Sequence, residues 1–173
     1  MEFNLTTNAE NNDRVRVAEM IRKDLENLGI RVNFRPMSFN TLVSKLDSTF
    51  DWEACLMGLT GSVDPHWGAN VWRSSGYTHQ WFPRQTTPST DWEAQIDKAF
   101  EEGITELDEQ KRREIYWGYQ RVAAEEQPMI YVVTEEGLAA IRTKFANVFP
   151  TGLASIPQWG LLVHLEGIYV QDR

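Results

Sequence analysis

The first eight residues alternate between apolar and polar side chains, which predicts a strand over residues 2–8. The polar turn that follows offers Asn12 or Asp13 as a helix cap. Beyond it, apolar residues recur at helical spacings of three and four, and Gly29 stands where such a helix would end. The apolar face of this predicted helix is formed by Ala18, Ile21, Leu25 and Leu28.

The same succession of patterns continues to residue 59. Alternation over residues 30–34 predicts a second strand, which must stop by Pro36 because proline cannot donate to a strand ladder. Ser38 can cap a short helix, and the mostly apolar run 52–59 is typical of a central strand that is covered on both faces. This strand-helix-strand-helix-strand start predicts an α/β fold with parallel strands and helices packed on the sheet.

Residues 60–90 show no long period and predict an irregular segment. Long irregular segments inside compact domains tend to be functional. Asp64 before Pro65 can open one helical turn here. The segment has only three charged residues but five aromatic ones: Trp67, Trp72, Tyr77, Trp81 and Phe82.

Helical patterns return after residue 90. Thr90 and Glu93 have the spacing of a capping box, and a second helix is predicted from Asp108 to Pro128. The two helices predict a helical hairpin. Residues 129–134 predict a strong strand, 137–141 a further one, and shorter apolar stretches lie at 161–163 and 168–170.

Charge and composition exclude several classes of function for this chain of 173 residues. The net charge of −8 repels phosphate backbones, so no nucleic-acid partner is expected. No apolar run approaches the roughly 20 residues of a membrane span. The N-terminus shows neither the basic region nor the apolar region of a secretory signal, which fits either a complete cytoplasmic protein or a fragment of a longer chain.

The sequence offers little catalytic chemistry. It contains no G-x-S-x-G, P-loop or H-E-x-x-H motif, and its three histidines are far apart. Asp64 and His66 could supply a metal pair, although a solvated loop is the simpler interpretation. Cys55, the only cysteine, lies in a predicted strand and is expected to be buried and inert. No catalytic residue, metal or cofactor is therefore predicted.

The aromatic-rich segment is the better candidate for a binding surface. Trp side chains present large amphipathic faces that suit sugar rings, peptide side chains or a partner protein. The alternative is that they fill a local core around the loop.

Several blocks of sequence resemble, in their order and spacing, the second lobe of the family 5 extracellular solute-binding proteins. These are the dipeptide- and oligopeptide-binding proteins of ABC importers. The resemblance covers residues 1–147, and its blocks are 12–21, 25–32, 39–42, 50–58, 64–65, 74–76, 109–116 and 124–130.

The resemblance implies a periplasmic-binding-protein-like lobe, in which a mainly parallel mixed sheet is flanked by helices and accompanied by the helical hairpin. Residues 1–147 would be the second lobe, and residues 148–173 would be a tail that returns toward a missing N-terminal first lobe. The parent would lie in the periplasm or be lipid-anchored outside the cell. It would close both lobes around a solute and deliver it to an ABC permease in the membrane.

Peptide-binding members commonly carry Gly-Trp-x-x-Asp after the strand that corresponds to residues 50–58, and that Asp pairs with the peptide ammonium. Here Leu59 stands at the Trp position and Ser62 at the acidic one. A peptide-like solute is therefore expected, and an oligosaccharide or another non-peptide solute stays open. Asp64 has an alternative role as a helix cap ahead of Pro65. The expected ligand-binding residues are Thr60, Gly61, Ser62, Asp64, Trp67 and Trp72.

Two hypotheses from other classes of function remain. The seven tryptophans also suit a carbohydrate-processing enzyme domain or a carbohydrate-binding module. The enzyme would need two carboxyl groups that face each other across a cleft. A protein-interaction domain could instead use the aromatic-rich segment as its contact surface.

Overall fold

A computed structural model describes residues 1–62, 64–134, 140–148 and 165–170. The chain divides into two compact units. The first unit consists of Met1–Leu59 and Asn70–Asp97, and the second of Thr60–Ala69 and Lys98–Arg173.

The first unit is built on a parallel three-stranded sheet, as the sequence predicts. Its strand order is β2-β1-β3, and both pairings of β1 are parallel. The two helices of this unit's first half connect successive strands. The elements in chain order are β1 (Glu2–Asn8), α1 (Asn12–Asn27), β2 (Arg31–Met37), α2 (Phe39–Ser44) and β3 (Ala54–Cys55).

One face of α1 covers the sheet, and the core lies between them. Leu5 of β1, Ala18 of α1 and Val32 of β2 are buried against one another. Ala18 is fully buried and small, so α1 can approach the strands closely. The surrounding side chains, which are partly buried, are Phe3, Ile21, Leu25, Ile30, Phe34, Ala54 and Leu56.

The ends of the first helices follow the predicted chemistry with one shift. Asn11, rather than Asn12 or Asp13, caps α1, because its side chain accepts the backbone N–H of Arg14 at 2.9 Å. Gly29 follows the helix with a φ of +78°, which glycine adopts without strain. Ser38 caps α2 as predicted.

The strand predictions were wrong at several points. β2 continues through Pro36 to Met37, because β2 lies at the edge of the sheet, where proline is tolerated. β3 has two residues instead of eight and lies at the other edge of the described sheet. Residues 129–134 form no strand. Within them, Ile130 is 90% and Val133 76% exposed.

Of the remaining predicted strands, only the last is seen in the described residues. The stretch 161–163 and most of 137–141 lie outside the described residues. The stretch at 168–170 contributes β5 (Tyr169–Val170), which pairs antiparallel with β4 (Phe145–Ala146).

Short helical turns interrupt the chain before the long helices begin. A π-helical turn covers Lys45–Thr49, and a 3₁₀ turn at Pro65–Gly68 leads into α3 (Ala69–Trp72). Two long helices follow, α4 (Asp91–Thr105) and α5 (Glu109–Glu126), and Asp108 caps the second by accepting the N–H of Lys111 at 2.9 Å. Among the described residues, no helix is both long and apolar enough to cross a membrane.

The predicted helical hairpin is confirmed by aromatic packing within the second unit. The ring of Phe100 on α4 meets Tyr116 and Tyr119 of α5 edge to face, with centroids 5.6 and 5.0 Å apart. Gly103 lets the helices approach, since an added Cβ would lie 2.6 Å from the Tyr116 ring. Phe100 is fully buried and is the central contact of the hairpin.

Replacing Phe100 with alanine should therefore destabilise the second unit strongly. The Phe100→Ala variant is expected to lose about 3–5 kcal/mol of unfolding free energy, measured by urea denaturation. Ile104→Ala, on the same helix at a side chain that is 59% exposed, is the matched control and should lose less than about 1 kcal/mol. Equal losses in the two variants would contradict this view of the core.

Candidate functional site

Asp64 is held in place by two kinds of contact. It caps the 3₁₀ turn, with its Oδ1 accepting the backbone N–H of His66 at 2.8 Å and Pro65 at the first helical position. Both its carboxylate oxygens also accept from Arg112 Nη2, at 2.8 and 2.9 Å. The hydrogen bond from Arg112 is the main reason that the pKa of Asp64 is lowered. The capping alternative is thus the geometry that the structure shows.

Arg112 and Tyr116 tie the Asp64 turn to the helical hairpin. Arg112 Nε donates to the carbonyl oxygen of Gly103 at 2.8 Å, and its guanidinium lies 5.0 Å from the centre of the Tyr116 ring. The Tyr116 hydroxyl is 3.2 Å from His66 Nδ1. No sequence motif pointed to Arg112, because its partner lies 48 positions away.

Trp67 stands on this anchored turn with its side chain in solvent. Its exposed fraction is 79%, although both residues before it in the turn are half-buried. Large exposed aromatic side chains are the usual anchors of binding surfaces. Thr60, Gly61 and Ser62 belong to the same unit and are exposed as well.

Trp72 belongs to the first unit and lies in a cluster of aromatic rings. Its ring centroid is 5.6 Å from that of Trp81, which in turn is 3.9 Å from His79 and 6.1 Å from Trp92. This is the local-core arrangement that the sequence left as an alternative. Of the six predicted residues, five lie in the second unit and Trp72 does not.

Glu93 organises the chain around this aromatic cluster, a role that extends well beyond the predicted capping box. The box itself is present, with Glu93 N donating to Thr90 Oγ1 at 3.2 Å and Thr90 N donating to Glu93 Oε2 at 3.0 Å. The carboxylate is 3% exposed. Its further donors are Trp81 Nε1, Gln85 Nε2, Ser89 N, Ser89 Oγ and Thr90 Oγ1, at 2.8–3.2 Å.

The ionised form of Glu93 is strongly favoured. Burial by itself raises the pKa of Glu93, but the hydrogen bonds from Gln85, Ser89 and Trp81 outweigh burial and lower this pKa to about 2. His79 completes the surroundings: its Nδ1 donates to the Val71 carbonyl at 3.0 Å, and its Nε2 lies 3.6 Å from Glu93 Oε1.

A positive charge lies at the carboxyl edge of the parallel sheet. Arg14, in the first turn of α1, donates through Nη1 to Asn8 Oδ1 at 2.9 Å. Nη2 of the same guanidinium lies against Gly58, since a Cβ built there would be 2.5 Å from it. Cys55 is half-buried instead of buried, and burial raises the pKa of its thiol, opposed by the hydroxyl of Thr6 and the charge of Arg14. Over the described ranges, no cluster of His, Cys, Asp and Glu is arranged to hold a metal ion.

Sequence comparison relates this chain to one part of a transport protein. No family model matches it. It is 30% identical over 146 residues to a Deinococcus radiodurans protein named "Probable ABC transporter-binding protein". The match takes in 78% of this chain but 25% of the relative, so the chain spans about a quarter of that protein's length.

Solved structures that share this fold are likewise much longer than the chain. AppA of Clostridium difficile, provisionally described as a peptide-binding protein, matches with a TM-score of 0.74 and 20% identity, over 98% of this chain and 33% of AppA. The oligopeptide-binding protein AppA of Bacillus subtilis, solved with a nonapeptide, matches at 0.61 and 18%, over 99% and 32%. The periplasmic binding protein MelB of Agrobacterium fabrum, solved with stachyose, matches at 0.64 and 14%, over 73% and 20%.

These comparisons confirm the predicted resemblance to the solute-binding proteins of ABC importers that bind oligopeptides. They also confirm the fold class, since the chain has the fold of one lobe of a periplasmic binding protein.

The buried Glu93 carboxylate makes the stability of the first unit depend on pH. Because the pKa of Glu93 falls from 4.5 when unfolded to about 2 when folded, its stabilising effect is complete above pH 4.5 and is lost as the pH falls toward 2. The loss should be about 3 kcal/mol and should be absent from Glu93→Gln. Urea denaturation between pH 7 and pH 2 measures it. Glu125→Gln, at an exposed position, should show the same pH dependence of the unfolding free energy as the wild type.

Asp64 should stabilise its turn through the cap more than through the ion pair. Asp64→Ala removes both contacts and should cost about 1–2 kcal/mol, whereas Asp64→Asn keeps the acceptor for the His66 N–H and should cost less than about 1 kcal/mol. Hydrogen exchange at the His66 amide reports the local effect. If Asp64→Asn raises that exchange rate as much as Asp64→Ala does, the ion pair is the dominant contact and the expectation is wrong.

Proposed function

We propose that this chain is the second lobe of the substrate-binding component of an ABC importer, which captures a peptide-like solute between two lobes and delivers it to the permease. The observation that carries this proposal is the match of nearly the whole chain to one third of a peptide-binding protein's fold, together with the relative's name in the sequence comparison. The remaining two thirds of such a protein would supply the first lobe.

The location of the exposed polar residues supports this function. In open α/β sheets, ligands bind outside the carboxyl ends of the strands. Thr60, Gly61 and Ser62 follow the β3 strand in the chain direction, and their side chains or backbone groups are exposed. Hydroxyl and peptide groups of this kind can hydrogen-bond a polar solute, and Gly61 permits close approach of its backbone.

The anchored turn supports a role for Trp67 in the same site. Asp64 and His66 join the turn to α5 through Arg112 and Tyr116, so the backbone that carries Trp67 is held in place. A held backbone lowers the part of the binding cost that comes from ordering the turn. Asp64 serves as cap and ion-pair partner in this arrangement and is the weaker candidate for direct contact with the solute.

The ion pair of Asp64 with Arg112 bears on the kind of solute that this lobe could bind. A peptide ammonium needs a carboxylate partner when it is buried, and the Asp64 carboxylate already pairs with Arg112. A solute that offers no free ammonium to this lobe, such as an oligosaccharide, is therefore the second candidate. The stachyose complex of MelB favours it as well, because that protein shares the fold.

The setting of the whole protein follows from this function. The parent would act in the periplasm or be lipid-anchored at the outer face of the membrane, with the first lobe and an ABC permease as partners. Residues 148–173 would return toward the first lobe. We assign no catalytic role or cofactor to the chain, and the enzyme alternative is one outcome of the test below.

A thermal-shift screen on the full-length parent tests the solute class. Di- and oligopeptides are compared with cello- and other oligosaccharides, and we expect peptides to raise the melting temperature in a saturable way. A response to oligosaccharides alone would replace the peptide assignment by the second candidate. Turnover of any compound in the panel would contradict a binding role.

Trp67 should contribute to solute affinity without contributing to the fold. In the full-length parent, Trp67→Ala should weaken binding of the solute found in the screen by about tenfold or more, measured by calorimetry. Its melting temperature without solute should stay unchanged, because the side chain is 79% exposed. Trp117→Ala, at a tryptophan of α5 that is 46% exposed, is the control and should bind normally. Normal binding by Trp67→Ala would remove Trp67 from the site.

A further inference from the structure

The order of the three parallel strands predicts where a ligand would bind beside β1. The chain passes from β1 through α1 to β2 on one side, and then crosses to β3 on the other side, which gives the order β2-β1-β3. Where successive connections leave in opposite directions, the carboxyl ends of the two flanking strands open a crevice in which ligands of α/β proteins bind. For this strand order the rule places such a crevice between the ends of β1 and β3.

The guanidinium of Arg14 lies at this crevice. Asn8, the last residue of β1, is buried and accepts from Arg14 Nη1 at 2.9 Å. On the other side, Nη2 lies against Gly58, three residues after the end of β3. The cation therefore bridges the ends of the two strands that form the crevice.

Gly58 is needed for this position. A Cβ at residue 58 would lie 2.5 Å from Arg14 Nη2 and 3.3 Å from Cζ, so any larger residue would displace the guanidinium. The φ of Gly58 is not in the left-handed region, so backbone conformation gives no separate reason for glycine here.

The charge of Arg14 is not matched by a protein carboxylate. In the described part of the chain, Arg14 has no Asp or Glu oxygen within 4.0 Å, whereas Arg22, Arg31, Arg112 and Arg113 each have one. A guanidinium carries five N–H donors, and the side-chain bond described for Arg14 uses one, to Asn8. A half-buried cation with donors to spare is suited to an anion from outside the chain.

We propose that Arg14 binds a carboxylate group of the captured solute at the crevice between β1 and β3. This inference rests on the proposed solute-binding function and narrows it to solutes that carry a free carboxylate. The planar fork of a guanidinium matches a carboxylate through two parallel hydrogen bonds. The net charge of −8 disfavours multiply charged phosphates at the same place.

A minimal anion tests the site without knowledge of the solute. N-acetylglycine, a capped amino acid with a free carboxylate, is titrated into the 173-residue chain and followed by ¹H–¹⁵N NMR at the backbone amides of Asn8 and Gly58. Saturable shifts with N-acetylglycine, and none with the neutral N-acetylglycinamide, are expected. This comparison uses the wild-type chain alone, so it does not depend on how a variant folds.

Variants then assign the shifts to the side chain. Arg14→Gln should weaken N-acetylglycine binding by about tenfold or more, because it removes the charge and the forked donors. Arg16→Gln, an exposed arginine two positions further along α1, should bind like the wild type. Arg14→Lys keeps the charge but lacks the fork and should fall between the two.

The outcomes separate this inference from the proposed function. Absence of saturable shifts at Asn8 and Gly58, or equal shifts with the neutral amide, overturns the carboxylate site even if the full-length parent binds peptides in the thermal-shift screen. Carboxylate-dependent shifts that Arg14→Gln abolishes support the site even if the screen finds no peptide. Inorganic phosphate that competes more strongly than N-acetylglycine would overturn the carboxylate assignment.

Discussion

Parallel pairing of β1 on both of its sides is the constraint on which the first unit depends. The strand hydrogen-bonds β2 along its whole length and β3 near its end, and its last four residues, from Leu5 to Asn8, are buried. Three of these four residues are polar. The hydroxyls of Thr6 and Thr7 donate to the carbonyl oxygens of Ala54 and Leu56. These bonds add to the short backbone pairing between β1 and β3. This pairing fixes the ends of β1 and β3, and with them the polar carboxyl edge.

The irregular chain after residue 70 is held together by side-chain hydrogen bonds instead of strand pairing. It has few backbone ladders, and its buried Glu93 carboxylate collects donors from Trp81, Gln85, Ser89 and Thr90 instead. A buried charge is costly unless its surroundings are polar and fully arranged. One acidic side chain therefore replaces much of the regular structure that this length of chain lacks, and the tryptophans pack around it as a local core.

The sequence predicted the parts of the fold that local patterns determine. The β-α-β-α-β order, the Ser38 cap, the start of a helix at Asp108 and the Thr90–Glu93 capping box all depend on residues within a few positions of one another. Strand length did not follow from the pattern, because pairing in a sheet depends on distant partners: apolar residues 52–59 suggested a long central strand, yet only two of them are in β3. Pro36 was misjudged because the sequence does not tell an edge strand from a central one.

The candidate site was predictable to a similar degree. The Asp-Pro cap could be proposed from two adjacent residues, whereas the Asp64–Arg112 pair and the approach of Arg14 to Gly58 join positions 48 and 44 apart in the chain. Their shared composition likewise could not show that Trp67 is exposed whereas the half-buried Trp72 packs against Trp81. The packing of individual rings, which composition does not show, thus decides which members of an aromatic-rich segment are available to a ligand.

The contact between Asp64 and Arg112 changes how acidic residues after the third strand should be interpreted in proteins of this fold. A carboxylate at that place is informative about a cationic ligand only when the facing helix carries no arginine within reach of it. Where an arginine is present, the two side chains form an internal clasp, and inheritance of one without the other would leave an unbalanced charge in the turn. Examining both positions together would therefore improve ligand assignment for transporters known only from genomes.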